Sequence, residues 1–382
     1  MKMSDVYFTN SRAILDWEKI SKGEATYFNN SVSLLFKFER LIEKSGILND
    51  LKPMDSVAVK MHWGDWGTTR TIRSLYVKKL VDKIKEKGAF PFITESAGLG
   101  LTAIRSYGIG RLEIARNNGY TSETCGAPLI PADGLKGLED FVVDVDGLKL
   151  KKVHLASILK NVDKVISLAH FKGHPGLGVG GALKNIAVGF GAKTSKFEFH
   201  MDSEFPVFDK NKCTNCNKCI DLCPVNAISK EIVINKDKCL KCLGCVEICP
   251  EKALTVQWSN AEDRSKKMVD IFKAAQDYVG KENIRYINLL MDVTPICDCI
   301  PSSDNPIVPD IGILISRDPL AIDKASIDLI NEAPLNQECA CTSLDNKFAK
   351  MYEGTFNADP KYQLDAAKKL NVGNMEYKLI EI

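Results

Sequence analysis

Apolar residues recur along the chain with two alternating periods. Over residues 31–44, Leu34, Leu35, Phe38, Leu41 and Ile42 share one face at helical spacing and Gly46 follows, which predicts a helix. Residues 56–62 (SVAVKMH) predict a strand, 71–87 a second amphipathic helix closed by Gly88, and 89–94 another strand. Residues 164–169 predict a strand leading into a glycine-rich loop and a helix from about Gly181. Asp146-Gly147, between VVDV and LKLKKV, is a hairpin signal. The pattern stops near 205 and resumes near 260, with a helix over 260–279, strands over 285–293 and 310–316, and a helix over 319–331. Alternating strands and helices argue for an α/β fold, a mostly parallel sheet flanked by helices. The piece after the gap has two evident strands and looks thin to stand alone, so both pieces are expected to share one sheet. Two separate α/β domains are the alternative.

Composition narrows the class. The 382 residues are 45% hydrophobic and 26% charged, and 51 Lys+Arg against 49 Asp+Glu leave a net charge of +2. Such a balance gives no case for a nucleic-acid or membrane-surface partner. No apolar run approaches the ~20 residues of a membrane span. The opening stretch MKMSDVYFTNSRAILDWEK is too polar for a signal peptide, so a cytoplasmic protein is expected. The unusual figure is 13 cysteines, which in a reducing compartment point to metal rather than disulfides.

Eight of them fill the gap. Cys213, Cys216, Cys219 and Cys223 precede Pro224, and Cys239, Cys242, Cys245 and Cys249 precede Pro250. Each run is C-x2-C-x2-C-x3-C-P, and the second begins 26 residues after the first. The repeat resembles the bacterial two-cluster ferredoxin module, including the PVNAI and PEKAL that follow the prolines. The resemblance implies that Cys213, Cys216, Cys219 and Cys249 hold one [4Fe–4S] cluster and Cys239, Cys242, Cys245 and Cys223 the other. Zinc also uses C-x2-C pairs, but four thiols and a proline repeated twice are far more specific to iron–sulfur. The expected layout is an α/β domain in two parts, 1–205 and 258–382, around a small α+β ferredoxin insertion at 206–257. Residues 209–252 carry eight Lys against six Asp or Glu. A slightly basic module fits a partner within the same chain, or lysines that offset cluster charge.

Of the remaining cysteines, Cys297-Asp298-Cys299 and Cys339-Ala340-Cys341 are C-x-C pairs, and Cys125 stands alone. Extended chain puts i and i+2 on one face, so such a pair can chelate a soft metal or act as a redox dithiol. A buried small hydrophobe is the plain alternative for Cys125 and for the Cys339 pair.

Three of the five histidines fall within His170-Phe-Lys172-Gly-His174 and at His200, and the first two precede Gly180, Gly181, Lys184 and Asn185. Beyond the carboxyl end of a strand, glycines let backbone N–H groups approach an anion, and lysines add charge. An anion pocket is expected, held by Lys172 and Lys184, with His170, His174 or His200 moving protons and Gly180, Gly181, Asn185 and Lys60 lining it. His62, in Lys60-Met-His62-Trp-Gly-Asp, is expected in the same pocket. Glu95 to Ala103 matches G-x-G-x-x-A, but the following IRSYGIGR looks too glycine-broken for the helix a dinucleotide site needs.

KMHWGD, AHFKGH, GGALKNIAVG, the double cysteine run, CDC, PDIG and SRDPLAIDKAS together resemble the uncharacterised iron–sulfur-centre family, the domain-of-unknown-function 362 family. The resemblance spans about 57–329. It implies an α/β domain with an inserted two-cluster ferredoxin and supplies no reaction. One departure is GFGAKTSKFEFH, where a Met-Gly-Cys-like stretch is expected. The function expected is that of an oxidoreductase. Two [4Fe–4S] clusters would exchange electrons with an external low-potential carrier and pass them to an anionic small molecule or a further metal at Cys297 and Cys299. An electron-transfer adaptor, or a metal-dependent lyase or isomerase with structural clusters, are the alternatives. Cluster fragility suggests an anaerobic setting.

Overall fold

The computed structural model describes residues 3–339, 341, 343 and 345–382. Eight strands form one sheet in the order Tyr377–Glu381, Ser4–Asn10, Gly312–Ser316, Ile284–Leu290, Lys164–His170, Ser56–Lys60, Phe90–Glu95 and Leu129–Pro131. Only Gly312–Ser316 runs antiparallel to its neighbours. The other adjacent pairs are parallel. The sheet therefore mixes strands from both sides of the cysteine-rich segment.

The sheet holds because its strands are apolar on both faces. Val57, Val59, Ile166, Leu168, Ile287 and Leu289 pack on one side with Phe38 and Leu41 of helix Leu34–Ser45 and Val77 and Leu80 of helix Ser74–Lys85. Ala58, Val165, Tyr286 and Leu314 point the other way. They meet Leu183 and Ile186 of helix Ala182–Phe190, Met268 and Phe272 of Ala261–Val279, and Ile322 of Pro319–Glu332. Period-two alternation under two helical layers is what a buried parallel sheet requires.

Most expected elements are present within a few residues. Asp146-Gly147 closes the antiparallel pair Asp140–Asp144 and Lys152–Ala156. Asn260 and Asp318 cap their helices through their side chains. The glycine-rich loop is partly a hairpin, Lys172–His174 against Gly178–Gly180. One expectation is corrected: Gly108–Asn117 is a helix despite its glycines. A Cβ on Gly108 would stand 2.0 Å from the Gly134 carbonyl oxygen, and one on Gly110 would stand 1.9 Å from that of Ile104, so both glycines serve close backbone approach.

The cysteine-rich segment has its own small core of Ile228, Ile232 and Leu254. Val207–Phe208 pairs with Leu254–Thr255. The 26-residue repeat is visible in the backbone. Asn215, Asn217 and Asn226 have positive φ, and so do Lys241, Leu243 and Lys252, each 26 positions on. Asparagine tolerates that conformation, whereas lysine and leucine adopt it at a cost of roughly 1 kcal/mol or more. Among the described residues, no helix is long and apolar enough to cross a membrane.

Candidate active site

Four adjacent parallel strands end at one edge of the sheet, and their ends carry the polar residues. His62 follows Ser56–Lys60, Glu95 ends Phe90–Glu95, and His170 ends Lys164–His170. The loop after Ile284–Leu290 carries Cys297, Asp298 and Cys299. A cavity of about 510 Å3 opens there. It is lined by Lys60, His62, His170, Lys172, His174, Gly180, Gly181, Lys184, Asn185, His200 and Cys299, so the sequence-chosen residues converge on one space. Cys297 lies directly behind, 1% exposed, with its Sγ 3.1 Å from the Lys184 Nζ.

The sequence reading missed several members. Glu95 is buried, and its Oε1 lies 2.5 Å from His62 Nδ1. Its other oxygen accepts from the Trp63 amide at 2.9 Å and from Arg111. Burial opposes the charge on Glu95, but Arg111, His62 and Lys60 overcome it and hold the carboxyl well below its usual range. Asp298 is 1% exposed and lies 3.1 Å from Lys172 Nζ and 2.9 Å from His170 Nδ1. His170 Nε2 faces the carbonyls of Met291 and Asp292, both at 3.0 Å. Both ring nitrogens thus face oxygen acceptors. Arg105 donates to the Cys299 carbonyl at 3.0 Å and pairs with Asp65. The C-x-C loop is therefore clamped from three sides.

Asn185 and Lys60 hold each other. Lys60 Nζ donates to Asn185 Oδ1 at 2.9 Å, and Asn185 Nδ2 donates to the Lys60 carbonyl and to Ser167 Oγ. Burial lowers Lys60 to about 7 and Lys196 to about 8. His174 is held well below its ordinary value by burial and the Lys184 charge, and His200 falls to about 3 from burial and Arg264. Both are neutral rings at neutral pH. Burial opposes the Lys184 charge, but Cys297 and Cys299 outweigh it and raise the ammonium. The two sulfurs lie within 4.8 Å of each other, and the neighbouring thiol and the Lys184 charge pull Cys297 down, while Cys297 and burial push Cys299 up. The amides opening helix Ala182–Phe190 are already capped: Asp323 accepts from Ala182 and Leu183 at 2.7 and 2.9 Å. The anion at that helix end is the protein's own carboxylate.

The ferredoxin-like segment forms part of the cavity wall. Leu243, Val246 and Glu247, within the second cysteine run, line it. Glu247 accepts from the Leu101 and Thr102 amides at 2.9 and 3.2 Å, Gly100 donates to the Cys242 carbonyl at 2.8 Å, and Lys241 pairs with Glu198 at 2.7 Å. The G-x-G-x-x-A loop is therefore a docking surface for this segment. Two smaller cavities lie within it. One is lined by Cys213, Cys216, Cys219 and Cys249, the other by Cys223, Cys239, Cys242 and Cys245. Backbone N–H groups two residues on reach Cys213 and Cys239 at 3.4 Å, and those four residues on reach Cys223 and Cys249 at 3.2 Å. Among the described residues, no three of these eight sulfurs converge tightly enough for a single ion. A tetrahedral zinc needs sulfurs about 3.8 Å apart, from bonds of about 2.3 Å. The eight cysteines nonetheless gather into two groups of four around separate cavities, as the ligands of larger metal centres would.

Elsewhere, Cys125 is fully buried in the core and Cys341 packs in the other, donating to the Lys347 carbonyl. Ala340, between Cys339 and Cys341, lies outside the described residues.

A family model described as "Domain of unknown function (DUF362)" matches residues 57–328, well over half of the chain. The chain belongs to the DUF362 family. The DUF362 match runs from the strand before His62 to the helix that carries Asp323, and so spans every residue placed at the cavity. Two solved structures resemble the chain in part. A protein from Thermotoga maritima is 14% identical, with a TM-score of 0.34, over 66% of this chain and 50% of its own. The lactate racemase apoprotein from Thermoanaerobacterium thermosaccharolyticum is 12% identical, with a TM-score of 0.32, over 66% and 49%. The chain thus spans about half the length of each. No curated protein matches it.

Proposed function

We propose that this DUF362 protein is an iron–sulfur oxidoreductase that reduces a small anionic compound in the cavity at the sheet edge. The observation that carries the reading is the shared wall: Leu243 and Val246, next to Cys242 and Cys245, line the same space as Lys172, His174 and Lys184. The two cysteine quartets fit cubane clusters, since each takes three thiols from one run and the fourth from the other. Bound there, [4Fe–4S] clusters would supply single low-potential electrons drawn from an external carrier of the ferredoxin or flavodoxin class. Cys223, Cys239, Cys242 and Cys245 would hold the cluster on the cavity side. Lys172, Lys184 and Lys196 favour negative charge in the bound compound, and neutral His174 and His200 can relay protons to it as it takes up electrons.

The test uses anaerobic, cluster-loaded protein reduced with dithionite. Small carboxylates and phosphates are added singly, and reoxidation is followed by recovery of the cluster absorbance. At least one compound should reoxidise wild-type protein, and His174→Ala or Lys184→Ala should slow it at least tenfold with clusters intact. Equal rates in all three proteins would sink the assignment of this cavity. Turnover indifferent to cluster redox state would favour a non-redox enzyme.

A further inference from the structure

Among the described residues, three metal-ligating side chains close on one point at the cavity wall: His62, Cys297 and Cys299, whose ligand atoms all lie within 4.8 Å of one another. We propose that these three residues bind one soft or borderline divalent ion, such as zinc, iron, cobalt or nickel, with a fourth position open to the cavity. This goes beyond the electron-transfer reading and does not need it, since such an ion can act as a Lewis acid on a bound anion whether or not electrons follow.

Four independent features support the site. First, two thiols and one imidazole are a donor set suited to such ions, and three protein ligands with one vacancy are the hallmark of catalytic rather than structural zinc sites. Second, the imidazole is oriented for ligation. His62 Nδ1 is engaged by Glu95 at 2.5 Å, while its Nε2 is buried with no hydrogen-bond partner. A carboxylate on one ring nitrogen and a metal on the other is the recurrent way of fixing a ligating histidine. Glu95 is itself fixed by Arg111 and the Trp63 amide, so the support continues one layer out. Third, the C-x-C loop is held before any ion arrives. Asp298, between the two cysteines, is locked by Lys172 and His170, and the Cys299 carbonyl is held by Arg105. Fourth, charge and access fit. Lys184 stands 3.1 Å from the Cys297 sulfur and offsets the negative charge of two thiolates. His62 and Cys299 both line the cavity, so the vacancy faces the space where the anion would sit.

The test is a titration of anaerobic, cluster-loaded full-length protein with cobalt(II) alone, with X-ray absorption at the cobalt edge, which the iron does not obscure. Wild-type protein should take up one more ion per chain than the Cys297→Ser/Cys299→Ser variant. That ion should show two sulfur neighbours and lighter atoms. His62→Ala should weaken it at least 100-fold, and Glu95→Gln by about 10–100-fold, the effect typical of removing such a supporting carboxylate. Equal uptake by wild type and the double serine variant would overturn the proposal. Undiminished affinity in His62→Ala would overturn it as a three-ligand centre. If the serine variant does not fold, absorption on wild type alone decides, because a cobalt without two sulfur neighbours refutes the site. Cluster reoxidation measured on the same samples separates the two proposals: lost cobalt binding with normal reoxidation leaves electron transfer standing, and the reverse leaves the metal site standing.

Discussion

Asp298 offers the sharpest test of how the cavity is held. Its carboxylate is 1% exposed and faces two buried groups, Lys172 Nζ at 3.1 Å and His170 Nδ1 at 2.9 Å. At 3.1 Å and an effective dielectric of about 20, one such pair attracts by about 5 kcal/mol before desolvation is counted. Desolvation of all the charged groups cancels most of that gain, so the intact network adds little net stability. Removing one member is different, because the others stay buried without their counter-charge. Asp298→Asn keeps the shape and deletes only the charge, and should cost about 3–5 kcal/mol. The measurement is urea unfolding of anaerobic protein, read by far-ultraviolet circular dichroism, with cluster absorbance followed alongside. His170→Gln in the Asp298→Asn background should add much less than it does alone, since the two residues share one network. A loss below about 1 kcal/mol for Asp298→Asn, or full additivity of the two changes, would refute the claim that this carboxylate holds Lys172 and His170 in one buried network.

Three further outcomes are expected. Gly181→Ala would place a methyl 2.3 Å from Asp323 Oδ1 and 2.6 Å from the Phe171 ring, so overpacking should destabilise by about 1–3 kcal/mol and lower the melting temperature. Glu247→Ala removes the acceptor of the Leu101 and Thr102 amides and should raise hydrogen exchange at those two amides by tenfold or more; unchanged protection would show that Glu247 does not dock the segment. For Asp50, burial opposes ionisation, but hydrogen bonds from Arg317 and Arg285 prevail and depress its carboxyl pKa. Between that depressed value and the unfolded value of about 3.9, the unfolded chain binds more protons, so stability rises with pH there. Asp50→Asn should therefore be less stable than wild type at neutral pH by about 1 kcal/mol, a figure reduced for solvent screening, and the gap should close as pH falls below about 4. A gap that does not narrow between pH 4 and pH 2 would contradict this account.

Much of the architecture is legible because burial leaves a periodic trace. The nearly unbroken apolar runs over residues 56–60 and 164–170 follow from a sheet covered on both faces, and the helical stripe over 34–45 from a helix covered on one. The terminal strands Ser4–Asn10 and Tyr377–Glu381 left a weaker trace. Tyr377–Glu381 is a half-exposed edge with mixed polarity, and the value of Ser4–Asn10 comes from pairing with residues more than 300 positions away. The helix at Gly108–Asn117 was hidden for another reason, since its glycines answer to neighbouring backbone rather than to propensity. At the site, the cysteine spacing and the His-Lys-Gly run are local signals and stand out. The partners that make the site chemical are not local: Glu95 meets His62 across 33 positions and Asp298 meets His170 across 128. Asp298 stands out only as the spacer of its C-x-C pair and Glu95 only as the start of a glycine motif, and the strand order alone brings each to its histidine.

The same strand order explains why the cysteine-rich segment lies where it does. The chain leaves the α/β layers at the end of helix Lys193–His200 and returns just before helix Ala261–Val279. Exit and return are joined, because Met201 bridges Trp258 and the Ser259 amide donates to the His200 carbonyl. His200 and Trp258 both line the cavity, so the segment emerges at its mouth. Its second run then has only a short way to fold back onto the loop after Phe90–Glu95, where Gly100 has no room for a side chain: a Cβ there would stand 2.0 Å from Glu247 Oε1. Strand ends from both halves of the chain supply the cavity's floor, and the inserted segment supplies part of its wall. A carrier that merely shuttled electrons would gain nothing from spending three buried lysines, two neutral histidines and a clamped C-x-C loop on the space beneath its cysteines. That concentration of polar groups under the second cysteine run is what favours the proposed reductase over a plain carrier.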